Sequence, residues 1–414
     1  MSTDEISAVL PAAGRTAQPP AVAEPHERPE RSQRPLAARL PSLTGLRFPA
    51  ALLVFIFHAS LPYGTVRLLA DNGSEKRFTD LAAQTGALGV TFFFALSGFV
   101  LTWSAREGDT ARAFWRRRYV KIVPNYVVAW ALAMLLFAGA TTEAWRALLN
   151  LTMLQVYVPD FLTNFSVNPP GWSLAAEAVF YLFFPLLYHW FKRIPADRLK
   201  YWIAGTVAGI VLTVVVAYTI VPAGTAMMDN EPTTSATQYW FAYVLPFPRL
   251  LDFALGILVA RAVMAGRWRN IGMVWSLVLL AVSFVAASFV PHIYGQRAVT
   301  VVPAVLLIAA GAIADNEGRP SAVRNRVMVW LGEVSFAFYL LHYVVLATTR
   351  KLLGTELYSG PATAALLAGE FVVALLASWA LYALVERPIT RRWSRPRKRA
   401  VAPASQVSQV SQDS

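Results

Sequence analysis

Cysteine is absent from this 414-residue chain, which removes disulfides, thiolate metal sites and cysteine nucleophiles from consideration. Charge is sparse as well: Asp, Glu, Lys and Arg supply 15% of the residues against 56% hydrophobic ones, too apolar a balance for an ordinary soluble domain. Histidine is limited to five residues, and no cluster with metal-ligand spacing appears, so no metal is expected. No internal repeat is strong enough to argue for the paired halves of a secondary transporter, the rival reading for an apolar chain with buried charges.

What is present is a series of about ten apolar blocks, near 44–63, 84–104, 123–140, 172–192, 202–222, 239–262, 271–291, 298–315, 330–349 and 363–386. Each is long enough to cross a hydrocarbon core of about 30 Å as a helix. The blocks are continuous rather than alternating, which excludes a closed barrel. The expected fold is all-α: a polytopic membrane protein of about ten transmembrane helices occupying 42–390. The apolar but short segment 145–158 reads as a re-entrant or interfacial helix. Residues 1–41 hold prolines, alanines and arginines without a long apolar run, and read as a disordered cytoplasmic tail rather than a cleavable signal peptide. Residues 391–414, basic and then Ser/Gln/Val-rich, read as a second disordered tail.

The formal net charge of +13 would point to nucleic acid in a soluble protein, so its distribution decides. Of the 37 Lys and Arg residues, 28 fall before the first span, after the last one (from Arg387 on) and in alternate connections at 105–122, 192–201, 261–270 and 315–329, and seven in the other five connections. That asymmetry is the positive-inside pattern. It places both termini in the cytoplasm, makes the lipid bilayer of the cytoplasmic (inner) membrane the partner of a multi-pass chain, and removes the need for any nucleic acid.

Ionisable groups inside apolar blocks are costly, so each is a functional candidate. In TGLRFPAALLVFIFHAS, Arg47 and His58 are eleven positions apart, within about 20° of three full helical turns. They share one face roughly 16 Å apart and are expected to line one cavity. A substrate could then be held by its anionic part at Arg47 while a neutral imidazole at His58 takes a proton from an attacking hydroxyl. The plainer alternative is a snorkelling arginine and a core histidine. The segment FWRRRYVKIVPNY reads as a loop before the third span, with Arg117, Arg118 and Lys121 available to cradle phosphates or simply to anchor the cytoplasmic face. In NPPGWSLAAEAVFYLFFPLL a Pro-Pro-Gly break opens a helix carrying Trp172, Ser173, Glu177 and Tyr181. Glu177 could orient His58 or bind an acceptor hydroxyl, or make a structural interhelix bond. Trp172, Ser173, Tyr181 and, in LGEVSFAFYLLHYVVL, His342 are candidate substrate-binding residues. Arg249 and Asp252, three apart, are expected to neutralise one another. His26, His189 and His292 carry no assigned role.

Together these segments resemble the acyltransferase 3 family of membrane proteins, which acylate envelope sugars and, in an antibiotic-pathway branch, macrolides and ansamycins. The resemblance runs from about Ser42 to Pro388. It rests on the arginine-ten-residues-histidine pattern at Arg47 and His58, FFFALSGFVLT, the basic segment before Ile122 and Pro124, WSLAAEAVFYLFFPLL, RLLDFALGILVA, LGEVSFAFYLLH and the closing VERP. It implies an acyl-CoA donor (acetyl-CoA or another short-chain acyl-CoA) bound from the cytoplasm, with Arg47 and His58 required and the basic segment contributing. The acceptor would be a hydroxyl of a small molecule of the polyketide antibiotic type or, as the second reading, of a cell-envelope glycan. Lys121 stands where the family's third arginine is usual, which keeps the charge but loses a bidentate fork. Ala178 follows Glu177 where the family often has a second acid or polar residue.

Overall fold

The computed structural model describes residues 36–62, 65–106, 108–228 and 231–393; most of both expected tails lies outside these residues. The elements in chain order are α1 (Pro41–Ala59), α2 (Asn72–Ala82), α3 (Thr85–Trp103), α4 (Ala111–Ala133), α5 (Ala144–Leu151), α6 (Phe161–Asn164), α7 (Gly171–Phe191), α8 (Leu199–Thr219), β1 (Ala226–Met228), β2 (Glu231–Ser235), α9 (Ala236–Tyr239), α10 (Pro246–Met264), α11 (Met273–Ala286), α12 (Val299–Asn316), α13 (Arg326–Leu353), α14 (Gly360–Leu381) and α15 (Arg387–Trp393). The protein is an all-α polytopic membrane protein, with nine helical stretches among the described residues long and apolar enough to cross a bilayer. The one expected span outside these nine, 271–291, is α11 with a short 3₁₀ turn through Phe289. It covers only about 27 Å at ordinary helical rises, and it turns Val274, Trp275, Val282, Val285 and Phe289 outward. Residues 145–158 form α5 and a 3₁₀ turn and do not cross. The antiparallel hairpin β1–β2 lies in a connection that has no strand pattern in the sequence.

Two expectations about boundaries need correction. FWRRRYVKIVPNY is not a loop: α4 begins at Ala111, capped by the Thr110 hydroxyl on the Ala113 amide. The cluster is charged because it lies at a membrane face, and charge does not by itself interrupt a helix. Arg297, placed in an outer connection by its sequence position, is fully buried in a π-helical turn leading into α12.

Helices α3, α10, α12 and α13 form the interior, and α4, α8 and α14 turn most of their surface outward. In lipid, helices associate through close packing rather than through exclusion of water, which favours small residues where backbones meet. At the α3–α10 contact a Cβ on Gly256 would stand 2.0 Å from the Ala95 carbonyl oxygen, and one on Gly98 2.0 Å from that of Phe253. The α1–α13 contact is as tight: a Cβ on Gly332 would meet the Thr44 carbonyl oxygen at 1.9 Å. The start of α1 has no capping side chain of its own. Asp315 at the end of α12 supplies one, accepting from the Ser42 amide at 2.8 Å and its hydroxyl at 2.7 Å, which satisfies donors that a helix end leaves open.

The carboxylate and guanidinium side chains with no exposure at all among the described residues form one cluster. Asp252 lies 3.4 Å from Arg249, as expected, and also 3.6 Å from Arg297. Arg297 donates to the carbonyls of Ala242 (2.7 Å) and Pro248. The Arg249 guanidinium donates to Thr91 Oγ1 at 3.3 Å and lies 4.9 Å from the ring centroids of both Phe94 and Tyr243.

The packing at Gly256 is testable by thermal unfolding in detergent. Gly256→Val should destabilise the protein by at least the about 1–3 kcal/mol typical of overpacking. Gly369→Ala on α14, where a Cβ meets nothing within 4 Å, should leave the midpoint unchanged or raise it. Equal midpoints for Gly256→Val and the parent chain would rule out the close approach.

Candidate active site

His58 occupies the last turn of α1 and is 8% exposed. Its Nδ1 lies 2.9 Å from the Val54 carbonyl oxygen and 3.0 Å from His342 Nε2. His342, on α13, directs its own Nδ1 at the Phe338 carbonyl oxygen 3.1 Å away. A carbonyl only accepts, so His342 carries its proton on Nδ1 and offers the lone pair of Nε2. His58 Nδ1 must then be the donor to both Val54 and His342. This assignment leaves the His58 Nε2 lone pair free on the side where the residue lines a cavity. The Tyr343 ring stands edge-on to His58 at 5.3 Å, and its hydroxyl lies 3.2 Å from that of Thr65.

That cavity has a volume of about 940 Å³, and the aromatic part of its lining includes Phe57, Phe165, Trp172, Tyr239, Tyr243 and Tyr339. Its rim carries Glu75, Lys76 and Asp80 of α2, in ion pairs Arg67–Glu75 (2.8 Å) and Lys76–Asp80 (2.6 Å).

A second, smaller chamber of about 80 Å³ is lined by Arg47, Ser97, Arg118, Lys121, Ser173, Glu177 and Tyr181, among others. Glu177 accepts from Ser97 at 2.9 Å and from the Tyr181 hydroxyl. Lys121 lies 3.7 Å from Glu386, which also accepts from Asn125 at 3.1 Å. Three cations therefore face one lining carboxylate and a second held behind Lys121. A chamber with this excess suits a polyanion such as a phosphate-bearing group.

The two spaces share Val90 and Tyr339 and lie end to end. Each lining helix agrees on the direction: His58 to Arg47 on α1, Gly86 to Ser97 on α3, Trp172 to Tyr181 on α7 and Tyr343 to Ser335 on α13 pass from the large cavity to the cationic chamber. The cationic chamber lies toward the Lys/Arg-rich face, because Arg118 and Lys121 belong to the first turns of α4.

Several expectations change accordingly. Arg47 and His58 share α1 but line adjoining spaces rather than one. Glu177 does not orient His58, since its carboxylate is engaged with Ser97 and Tyr181 in the other chamber. His342, 0% exposed, does not line the large cavity and instead stands behind His58. Arg117 does not line the cationic chamber and is paired with Asp109, leaving Arg118 and Lys121 of the basic segment to face inward. Of the remaining candidates, Trp172 lines the large cavity, while Ser173 and Tyr181 line the small one. Sequence reasoning passed over Tyr339 and Tyr343; Ser335, Tyr339, His342 and Tyr343 sit at i, i+4, i+7 and i+8, a stripe that marks one face of α13.

The accessibility difference between the two histidines is testable with diethyl pyrocarbonate and peptide mapping. His58 should be carbethoxylated and His342 spared. Equal modification of both would contradict the arrangement.

Comparison with known protein families matches residues 40–383 to an acyltransferase domain, the acyltransferase 3 family model. Among curated relatives, the chain is 38% identical over 381 residues to Acyltransferase MdmB of Streptomyces mycarofaciens, covering 89% of this chain and 96% of that protein. It is 27% identical over 324 residues to Exopolysaccharide production protein ExoZ of Rhizobium meliloti, covering 74% and 90% respectively. No solved structure matches.

Proposed function

We propose, starting from the fact that this chain belongs to the acyltransferase 3 family of membrane O-acyltransferases, that it moves an acyl group from acyl-CoA in the cytoplasm to a hydroxyl of a polyketide antibiotic of the macrolide or ansamycin type. The observation that carries the reading is the end-to-end pairing of a cationic chamber with an aromatic cavity that contains a histidine. The former suits the phosphates of coenzyme A, held by Arg47, Arg118 and Lys121. The latter, about 940 Å³, is at the upper end of the range for sites that enclose large organic ligands. Its aromatic lining suits an acceptor with broad apolar faces. Roughly 16 Å of helix between Arg47 and His58 leaves room for an extended linker between the donor's phosphates and its thioester. The basic face is cytoplasmic on this reading, and the membrane is the cytoplasmic one.

The chemistry asks His58 to accept one proton and pass it on. Its Nε2 takes the proton of the acceptor hydroxyl as that oxygen attacks the thioester carbonyl carbon. The tetrahedral intermediate collapses by breaking the C–S bond, and the proton passes from His58 to the departing CoA sulfur. Imidazolium formed on the way keeps its Nδ1–H on Val54 and His342, so the ring need not turn between steps. His342 is a positioning residue that holds the tautomer; a ring free to present an N–H to the cavity could not act as base. A cell-envelope glycan is the second acceptor class, favoured by the similarity to the exopolysaccharide production protein.

His58→Ala should lower acyl transfer by about 10²- to 10⁴-fold, the usual scale for a general base, with expression and membrane insertion intact. Unchanged turnover of the purified variant would remove His58 from the mechanism. Mass spectrometry of metabolites and envelope glycans from cells with and without the gene should show one small-molecule species gaining the mass of an acyl group. A gain confined to the glycan fraction would replace the acceptor assignment.

A further inference from the structure

The Pro-Pro-Gly break that opens α7 docks on α13 at the level where the two chambers meet. Asn168 donates to the Leu340 carbonyl at 2.9 Å. Ser173 donates its single hydroxyl proton to the Pro170 carbonyl at 3.0 Å. Its oxygen lies 2.6 Å from the Tyr339 hydroxyl, so Tyr339 must be the donor of that bond. The Tyr339 ring is further held edge-on by Phe93, with centroids 5.7 Å apart. Val167, just before the break, is a buried β-branched residue at φ 59°, a conformation such residues adopt only under constraint from their surroundings. Tyr339 and Val90 alone face both chambers, and Val90 has no polar tie that could fix or release it.

We propose that Tyr339, tethered through Ser173 to the Pro169–Pro170–Gly171 break, is a movable partition that closes the cationic chamber against the water of the large cavity and must swing aside for a donor's acyl group to reach His58. This rests on the acyl-transfer reading for the identity of the donor, but the partition itself is a property of the cavities. Its value for a thioester is direct. Water entering from the large cavity could attack the thioester carbonyl, break the C–S bond and release the free acid and CoA thiol, wasting the donor. A ring that stands between chamber and cavity until an acceptor is in place limits that loss. Tyr339 is a positioning residue here; it needs no contact with the reacting atoms.

The cysteine-free chain allows a test that requires no substrate. Ser97→Cys places the only thiol in the cationic chamber. In sealed proteoliposomes of known orientation, a membrane-impermeant methanethiosulfonate added at the face opposite the Lys/Arg-rich one should label it slowly. Adding Tyr339→Ala should raise that rate more than tenfold. Tyr339→Phe and Ser173→Ala, which cut the tether with little change in volume, should give smaller rises and guard against misfolding of the alanine variant. Equal labelling rates in all four backgrounds would overturn the partition. In the native serine background, Tyr339→Ala and Tyr339→Phe should raise at least severalfold the ratio of acetyl-CoA hydrolysis measured without acceptor to acyl transfer measured with it. An unchanged ratio beside faster labelling would overturn the protective role while leaving the partition. Neither hydrolysis nor transfer by the parent protein would overturn the acyl-CoA reading, and the labelling result would still decide the partition.

Discussion

Two helices that run in the same direction, α1 and α13, touch backbone to backbone where Gly332 meets the Thr44 carbonyl. Much of the site depends on that contact. From it the two helices proceed toward the same face, and ten residues further along α13 His342 comes within 3.0 Å of His58 on α1. The same pairing sets Tyr339 beside the chamber that Arg47 lines and Tyr343 beside the cavity that His58 lines. A side chain at position 332 would separate the helices and with them the imidazole pair, even though it would touch neither ring.

The second constraint is the cost of charge in a lipid-embedded bundle. The protein meets it in two ways. Arg249, Asp252 and Arg297 are packed without exposure and are held by one another, by backbone carbonyls and by two aromatic faces. Arg47, Arg118 and Lys121 instead surround a space, with fewer acids than bases around it. The first arrangement offsets part of its burial cost internally, with one carboxylate set between two guanidiniums. The second retains a surplus positive field that is satisfied by whatever anion enters.

The segments of the chain that cross the membrane were legible because length and hydropathy are local properties, and Arg47 and His58 stood out because charge within such segments is rare. Hydropathy alone puts the basic cluster in a loop because it marks where a membrane begins, not where a helix does: α4 starts well before its apolar part. The expectation that Glu177 could orient His58 couples residues of the first and fourth spans. Their relative depth depends on where each helix enters the bilayer, and Glu177 falls about one and a half turns beyond Trp172, in the other chamber. The His58–His342 bond and the Tyr339–Ser173 bond join positions 284 and 166 residues apart. No periodicity in a single sequence reports such pairings. Arg297 was obscured for a related reason, since a charge near a span's end reads as solvated unless the tertiary contacts that bury it are known.

The shared wall at Val90 and Tyr339 also has an electrical consequence. Were both spaces water-filled and open to opposite faces, they would carry the bulk potential inward, and a voltage imposed on the bilayer would fall mainly across the thin septum between them instead of across the full hydrocarbon thickness. At about 2.3 kcal/mol per elementary charge for each 100 mV, an anion resting among Arg47, Arg118 and Lys121 would remain near the potential of the basic face. An ion crossing the septum would meet almost the whole drop within the width of one aromatic ring.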